Sequence, residues 1–250
     1  MPPQPIYSRL IAAQSNGEKL LAVLIDPDRL RVRYLAELLE IAQTCIVDFF
    51  FVGGSLLVQD ELESCVKTIR QHSDVPIVLF PGNPLQINRT ADAILLLSLI
   101  SGRNPEFLIG QHVVAAPYLK ASQLEIIPTG YALIDGGQPT TVSYISNTAP
   151  IPADKPEIAV CTAMAGEMLG LKAIYLDSGS GALRAVPEAT IREVRQAVAL
   201  PLIVGGGLRT PEQVRQSLLA GADLAVVGGA IEKSPQMLPV ISGAVKSLNK

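Results

Sequence analysis

Eight short apolar runs recur along the chain, most of them closing on a carboxylate or a glycine pair: KLLAVLID, DFFFVGG, VPIVLFPG, ADAILLLSLI, LEIIPTGYALID, LKAIYLDSG, LPLIVGGG and ADLAVVGG. They are apolar nearly throughout rather than alternating, the pattern of strands covered on both faces and therefore of a parallel sheet. Between them lie stretches whose apolar positions have helical spacing, such as RVRYLAELLEIAQ, ELESCVKTIRQ, EATIREVRQAVA and TPEQVRQSLLAG. Eight strands alternating with helices in 250 residues predict an α/β fold, a TIM (β/α)8 barrel forming a single domain over residues 1–250. A doubly wound sheet is the other arrangement this alternation permits.

Two stretches break the alternation. Between the third and fourth runs stands only PGNPLQINRTAD, with two prolines and two asparagines. It is too short and too broken for a helix that covers a barrel strand. The third outer helix is therefore expected to be missing or reduced to a turn, leaving a slot beside the barrel where a long apolar ligand could lie. The plainer alternative is a short loop covered by a neighbouring helix. The second break, residues 131–156, carries a Gly-Gly pair and four prolines. It reads as an extended connection, with a small hairpin around Asp135-Gly136-Gly137, before a helix near 157–170. It could serve as a lid or an interface.

Composition narrows the function. Charged residues make up 17%, the net charge is -3 and no run has one sign. A nucleic-acid surface would need clustered Lys and Arg, and the absence of Trp argues against base-stacking platforms. The cysteines Cys45, Cys65 and Cys161 are far apart and form no CxxC, so they read as reduced core thiols. With only two histidines, a His-rich metal site is excluded. The N-terminal MPPQPIYSRL lacks the order of a signal peptide, and no apolar run reaches the length of a membrane span. A soluble, cytoplasmic protein is expected.

The chemistry should lie at the C-terminal ends of the strands, where this fold binds its ligands. The last two strands run into Gly205-Gly206-Gly207 and Gly228-Gly229. Glycines at such turns let backbone N–H groups approach an anion, and a following helix N-terminus adds to the attraction. The sixth run ends in YLDSGSGA, where Asp177 precedes a Gly/Ser loop and Tyr175 shares its face at period two. Asp177 could be a general base, or a structural carboxylate that caps its own loop. The first run ends in Asp26-Pro27-Asp28. Asp28 suits a helix cap, and Asp26 with Ser55 suits a partly hydrated Mg²⁺ that also touches ligand phosphates.

Eight segments, LIDPD, FVGGS, SGRNP, PTGYALIDGG, YISNT, YLDSGSGA, IVGGGLRTPEQ and GGAIEK, follow in one order across nearly the whole chain. The set resembles the geranylgeranylglyceryl phosphate synthase family, with its bacterial heptaprenylglyceryl phosphate relatives. The YL-acid-x-GSGA, DPD and triple-glycine motifs carry the resemblance. It implies a modified TIM barrel lacking one outer helix. It also implies a Mg²⁺-dependent prenyltransferase that moves a long-chain prenyl group, geranylgeranyl first, from its diphosphate to sn-glycerol 1-phosphate in ether phospholipid biosynthesis. Matched by position, Asp26 and Ser55 would contact Mg²⁺ and Asp177 would be catalytic. Tyr175, Leu176, Asp177, Ser178, Gly179, Ser180, Gly181, Gly206, Gly207, Gly228 and Gly229 would contact the glycerol phosphate. A homo-oligomer, dimer or larger, and transient contact of the lipid product with a membrane surface are further implications.

The resemblance departs at two positions. The family commonly carries Glu where this chain has Asp177, a reach shorter by one methylene. It often carries Asn or Thr at Gly229, a side-chain hydrogen bond that is absent here. Two other classes share the glycine turns: a phosphate-binding barrel isomerase or flavin enzyme, and a non-catalytic binder that keeps the phosphate site without the chemistry.

Overall fold

The computed structural model describes residues 4–28, 32–56, 58–59, 61–84 and 86–249. Its elements are α1 (Pro5–Asn16), β1 (Leu20–Ile25), α2 (Val32–Ala42), β2 (Phe49–Val52), α3 (Leu62–His72), β3 (Ile77–Leu79), β4 (Ala93–Leu99), α4 (Gln111–Ser122), β5 (Glu125–Leu133), α5 (Thr141–Ser146), α6 (Pro156–Met168), β6 (Ala173–Asp177), α7 (Glu188–Ala197), β7 (Leu202–Gly205), α8 (Pro211–Ala220), β8 (Leu224–Val227), α9 (Gly229–Lys233) and α10 (Leu238–Lys246). Each strand pairs in parallel with the next. The ring closes where Leu20–Val23 of β1 pair with Leu224–Val227 of β8. None of the described helices is long and apolar enough to cross a membrane.

Strand alternation separates two cores, which is why the runs are apolar on every residue. Ala22, Phe49, Phe51, Val78, Tyr175 and Ile203 fill the barrel interior. Their chain neighbours Leu21, Val23, Phe50, Leu79, Ile174 and Val204 face the helices. The floor of the interior is closed by α1, which the apolar pattern did not reveal because its stripe is thin: Ile6, Leu10 and Ala13. A buried carboxylate fixes this plug. Glu125, at the start of β5, accepts the N–H groups of Ile6 at 2.9 Å and Tyr7 at 2.7 Å. These are first-turn donors with no intrahelical acceptor, and hydrogen bonds to a charged group contribute about 1.5–3 kcal/mol each.

Between β3 and β4 no helix forms among the described residues. Buried side-chain amides satisfy this loop in its place. Gln86 accepts from Gly82 N–H and donates to the Gly54 carbonyl, both at 3.1 Å. Asn88 Oδ1 accepts from Thr90 N–H at 2.8 Å and from its hydroxyl at 2.6 Å. The strand that follows is therefore flanked on one side by loop rather than helix.

Two expectations are corrected. Residues 131–156 contain no hairpin: Tyr131–Leu133 complete β5, Ile134 bridges Ile151 in parallel, and α5 forms between them. Thr140 caps α5 through a reciprocal pair with Ser143, a local signal stronger than the flanking prolines. Only Cys65 of the three thiols is buried; Cys45 is half-buried and Cys161 is exposed. The carboxylate of Asp28 accepts the N–H groups of Val58 and Gln59, so it ties the β1 loop to the β2 loop. Its expected role as the cap of α2 would involve residues 29–31, which lie outside the described residues.

Candidate active site

A cavity of ≈ 400 Å³ opens at the C-terminal ends of the strands. Among its lining groups is Asp177, a buried carboxylate, 5% exposed, at the end of β6. Tyr175 and Asp177 both point inward at period two, while Leu176 between them turns outward into the helix-facing core. Asp177 Oδ1 accepts Gly179 N–H at 2.7 Å and Oδ2 accepts the Tyr131 hydroxyl at 2.7 Å. Burial pushes its carboxyl above the usual carboxylate range, and these two hydrogen bonds pull it part of the way back. Burial, and then the charge of Asp177, hold the phenols of Tyr131 and Tyr175 well above their ordinary range.

The glycine turns stand opposite. Gly206 and Gly207 adopt φ of 74° and 69°, a left-handed conformation that glycine takes without a Cβ penalty. A Cβ on Gly206 would overlap Asp177 Oδ1 and stand 2.6 Å from the amide nitrogens of Ser178 and Gly179. That closeness brings the two loops into one polar wall. The helix N-termini divide differently from the expectation. At α8, Thr210 and Gln213 form a capping box, so its free donors are used within the chain. At α9 no side chain caps the start, and Gly228, Gly229 and Ala230 line the cavity. Gly179, Ser180, Gly181 and Ala182 line it as well. Ser178 does not: its buried hydroxyl has no partner among the described residues, and the residue borders the opposite side of its loop with Gly136–Thr140.

Asp26, Gly54 and Ser55 form the other end of the same cavity. A Cβ on Gly54 would stand 3.4 Å from Asp26 Oδ2, so the carboxylate lies over the Gly54 backbone. No group of three His, Cys, Asp or Glu among the described residues could hold a metal alone. The cavity lining has three carboxylates, Asp26, Asp177 and Glu232, against two cations, Arg209 and Lys233. Among the described lining residues, carboxylates thus outnumber cations. One carboxylate beside a hydroxyl fits a Mg²⁺ that takes its remaining ligands from water and from phosphate oxygens.

From this polar cavity an apolar cleft runs outward beside β4. The two share Gly54, Ser55, Phe80 and Tyr131. Beyond them the cleft passes Leu97, Leu99 and Phe107, then continues past Ile94, Leu95, Ala115 and Leu119 between α4 and the loop that replaces the third helix. Phe80 stacks on Tyr175 at 5.2 Å and lies 6.1 Å from Tyr131, so aromatic rings surround the junction.

Sequence reasoning missed Phe80, Tyr131, Arg209 and Lys233. Tyr131 sits inside an apolar run that was read as ending at Asp135, yet the register sets it level with Tyr175, and that level is already the barrel mouth. Arg209 donates to the Ala182 carbonyl and so pins the Gly/Ser loop to the β7 turn; its place directly after the triple glycine was the available signal.

The model of the PcrB family matches residues 14–245. A geranylgeranylglyceryl phosphate synthase of Spirosoma linguale is 54% identical over 235 residues, 94% of each chain. One from Thermococcus gammatolerans is 42% identical over 227 residues, 90% of this chain and 89% of that protein. Among solved structures, (S)-3-O-geranylgeranylglyceryl phosphate synthase from Thermoplasma acidophilum, in complex with sn-glycerol-1-phosphate, superposes with a TM-score of 0.91 at 32% identity. That match covers 97% of this chain and 98% of the other.

Proposed function

The chain belongs to the PcrB family of prenyltransferases, and on that premise we propose that it moves a long-chain prenyl group from its diphosphate to the terminal hydroxyl of sn-glycerol 1-phosphate. Geranylgeranyl is the first candidate for that group; the products are an ether-lipid precursor and diphosphate. The observation that carries the reading is that the polar cavity and the apolar cleft lie side by side, with Gly54, Ser55, Phe80 and Tyr131 lining both. An isomerase or flavin enzyme has a use for the glycine turns but none for the cleft. A ligand with an anionic head and a long apolar tail fills both, and each CH₂ it buries contributes about 0.8 kcal/mol.

In this mechanism the phosphate of the acceptor rests on the backbone N–H groups of Gly206, Gly207, Gly228 and Gly229, with Gly179–Gly181 closing over it. Its carbons then extend toward Tyr175 and Asp177, and holding them there makes the attack effectively intramolecular. The rings of Phe80, Tyr131 and Tyr175 exclude water from the junction, and their π faces favour the positive charge that develops on the allylic carbon. Asp177 is the base on which the proton released at the attacking hydroxyl is finally neutralised, a role typically worth ~10²–10⁴ in rate. Asp26 and Ser55 would hold a Mg²⁺, which when bound neutralises charge on the departing diphosphate.

The reading extends to a cytoplasmic homo-oligomer whose product leaves by transient contact with a membrane surface. Its support is the exposed apolar row Val113, Val114 and Tyr118 along α4, with Ile109 in the turn just before it, next to the cleft.

Purified protein given Mg²⁺, sn-glycerol 1-phosphate and a ladder of donors from geranyl to heptaprenyl diphosphate is expected to form a prenyl ether. Mass spectrometry of the organic phase reads the product and its chain length directly. No ether with any donor sinks the proposal.

A further inference from the structure

Both oxygens of Asp177 are already engaged. Oδ1 accepts Gly179 N–H and lies so close to Gly206 that a methyl group there would overlap it. Oδ2 accepts the hydroxyl of Tyr131 at 2.7 Å. Asp177 lines the cavity, but with a single methylene its carboxylate stays against the strand end, held there by Gly179 N–H and the Tyr131 hydroxyl. Tyr131 occupies a different position. It lines the polar cavity and the apolar cleft alike, with its ring 5.5 Å from that of Tyr175. The acceptor hydroxyl and the allylic carbon have to meet at that junction. A phenol that donates its proton to a carboxylate still has lone pairs with which to accept another.

We propose that Tyr131, rather than Asp177, touches the acceptor hydroxyl, and that it relays the hydroxyl proton to Asp177, a step that rests on the prenyl-transfer reading above. As the allylic C–O bond breaks, its electron pair leaves with the diphosphate. The acceptor oxygen forms the new C–O bond, and its proton passes to the Tyr131 oxygen while Tyr131's own proton moves to Asp177 Oδ2. Tyr131 finishes neutral, as it began. Asp177 finishes as a carboxylic acid, and no further reactant is consumed. Burial and the neighbouring charge keep a free tyrosinate from forming, so the two transfers proceed together. The same burial makes Asp177 a stronger proton acceptor than an exposed aspartate.

Tyr131→Phe removes one oxygen and leaves the ring in place. It is expected to lower the single-turnover rate by about a hundredfold with unchanged affinity for sn-glycerol 1-phosphate. The second variant adds Asp177→Glu to Tyr131→Phe. The extra methylene lets the carboxylate reach the hydroxyl without an intermediary, so much of the lost rate should return. A packing role for the phenol would give no such rescue. Near-wild-type turnover in Tyr131→Phe, a loss that appears in acceptor affinity instead of rate, or a double variant as slow as the single one each overturns the relay. Wild-type protein that forms no ether with any donor overturns the parent reading; a productive wild type puts only the relay in question.

Discussion

Asp177→Asn is expected to slow prenyl transfer by roughly 10²–10⁴-fold while sn-glycerol 1-phosphate still binds. The replacement keeps the shape of the side chain. Its carbonyl oxygen can still accept from Gly179 N–H, and its amide can donate to the Tyr131 oxygen, so the loop that shapes the acceptor site stays in place. What disappears is the final resting place of the proton. Single-turnover rates measured beside a direct acceptor titration separate the two effects. Wild-type turnover would remove Asp177 from the mechanism, and lost binding would make it the structural cap of its own loop. The same variant carries a stability signature. Burial raises the folded-state pKa of Asp177 above the unfolded value, so the ionised group opposes folding at neutral pH. That cost fades as the pH falls through the folded-state pKa. Asparagine carries no such cost. The melting temperature of the variant should equal or exceed that of the wild type at neutral pH, and the difference should shrink in acid.

Gly206→Ala should abolish acceptor binding and destabilise the fold at once. The left-handed backbone at this position costs a residue with a Cβ roughly 1–2 kcal/mol. The added methyl overlaps Asp177 Oδ1, which Gly179 N–H holds in place, and crowds the backbone amides of Ser178 and Gly179. Backbone shifts of that kind cost about 1–3 kcal/mol, and they spread the two loops that would hold the phosphate. Calorimetric titration with sn-glycerol 1-phosphate and thermal unfolding together test this. A variant that binds normally would place the phosphate elsewhere. The contrast with Asp177→Asn is diagnostic: one variant keeps the site and loses the reaction, the other loses the site itself.

Much of this arrangement was legible in the chain. All eight strands fall within the apolar runs, because a parallel barrel buries both faces of each strand and writes that fact as unbroken apolar sequence. The missing helix was legible from Pro81, Pro84 and the asparagines around them, since proline removes the hydrogen bonds a helix needs. The plug helix α1 was not, because three buried residues and a carboxylate 119 positions away leave no local periodic signal. The same limit applies at the site. Glycine turns and strand-end acids announce themselves in a few adjacent letters. Tyr131 becomes a site residue only through its register beside Tyr175, and Leu176 drops out only because alternation turns its side chain away. Ser178 shows the limit of reading a loop by composition: of its neighbours through Gly181, it alone faces away from the cavity.

The missing helix also bears on how this barrel can evolve. Apolar wall beside β4 that a helix would normally cover is left to a short loop and to whatever occupies the cleft. Restoring a full helix there would add packing, and selection for stability alone would favour it. It would also fill the place proposed here for the lipid tail. Stability and substrate scope therefore pull in opposite directions at one connection, a local case of the stability–activity trade-off. Variation in the residues between Phe80 and Ala93 is then a means of changing what the protein accepts while its glycine turns stay fixed.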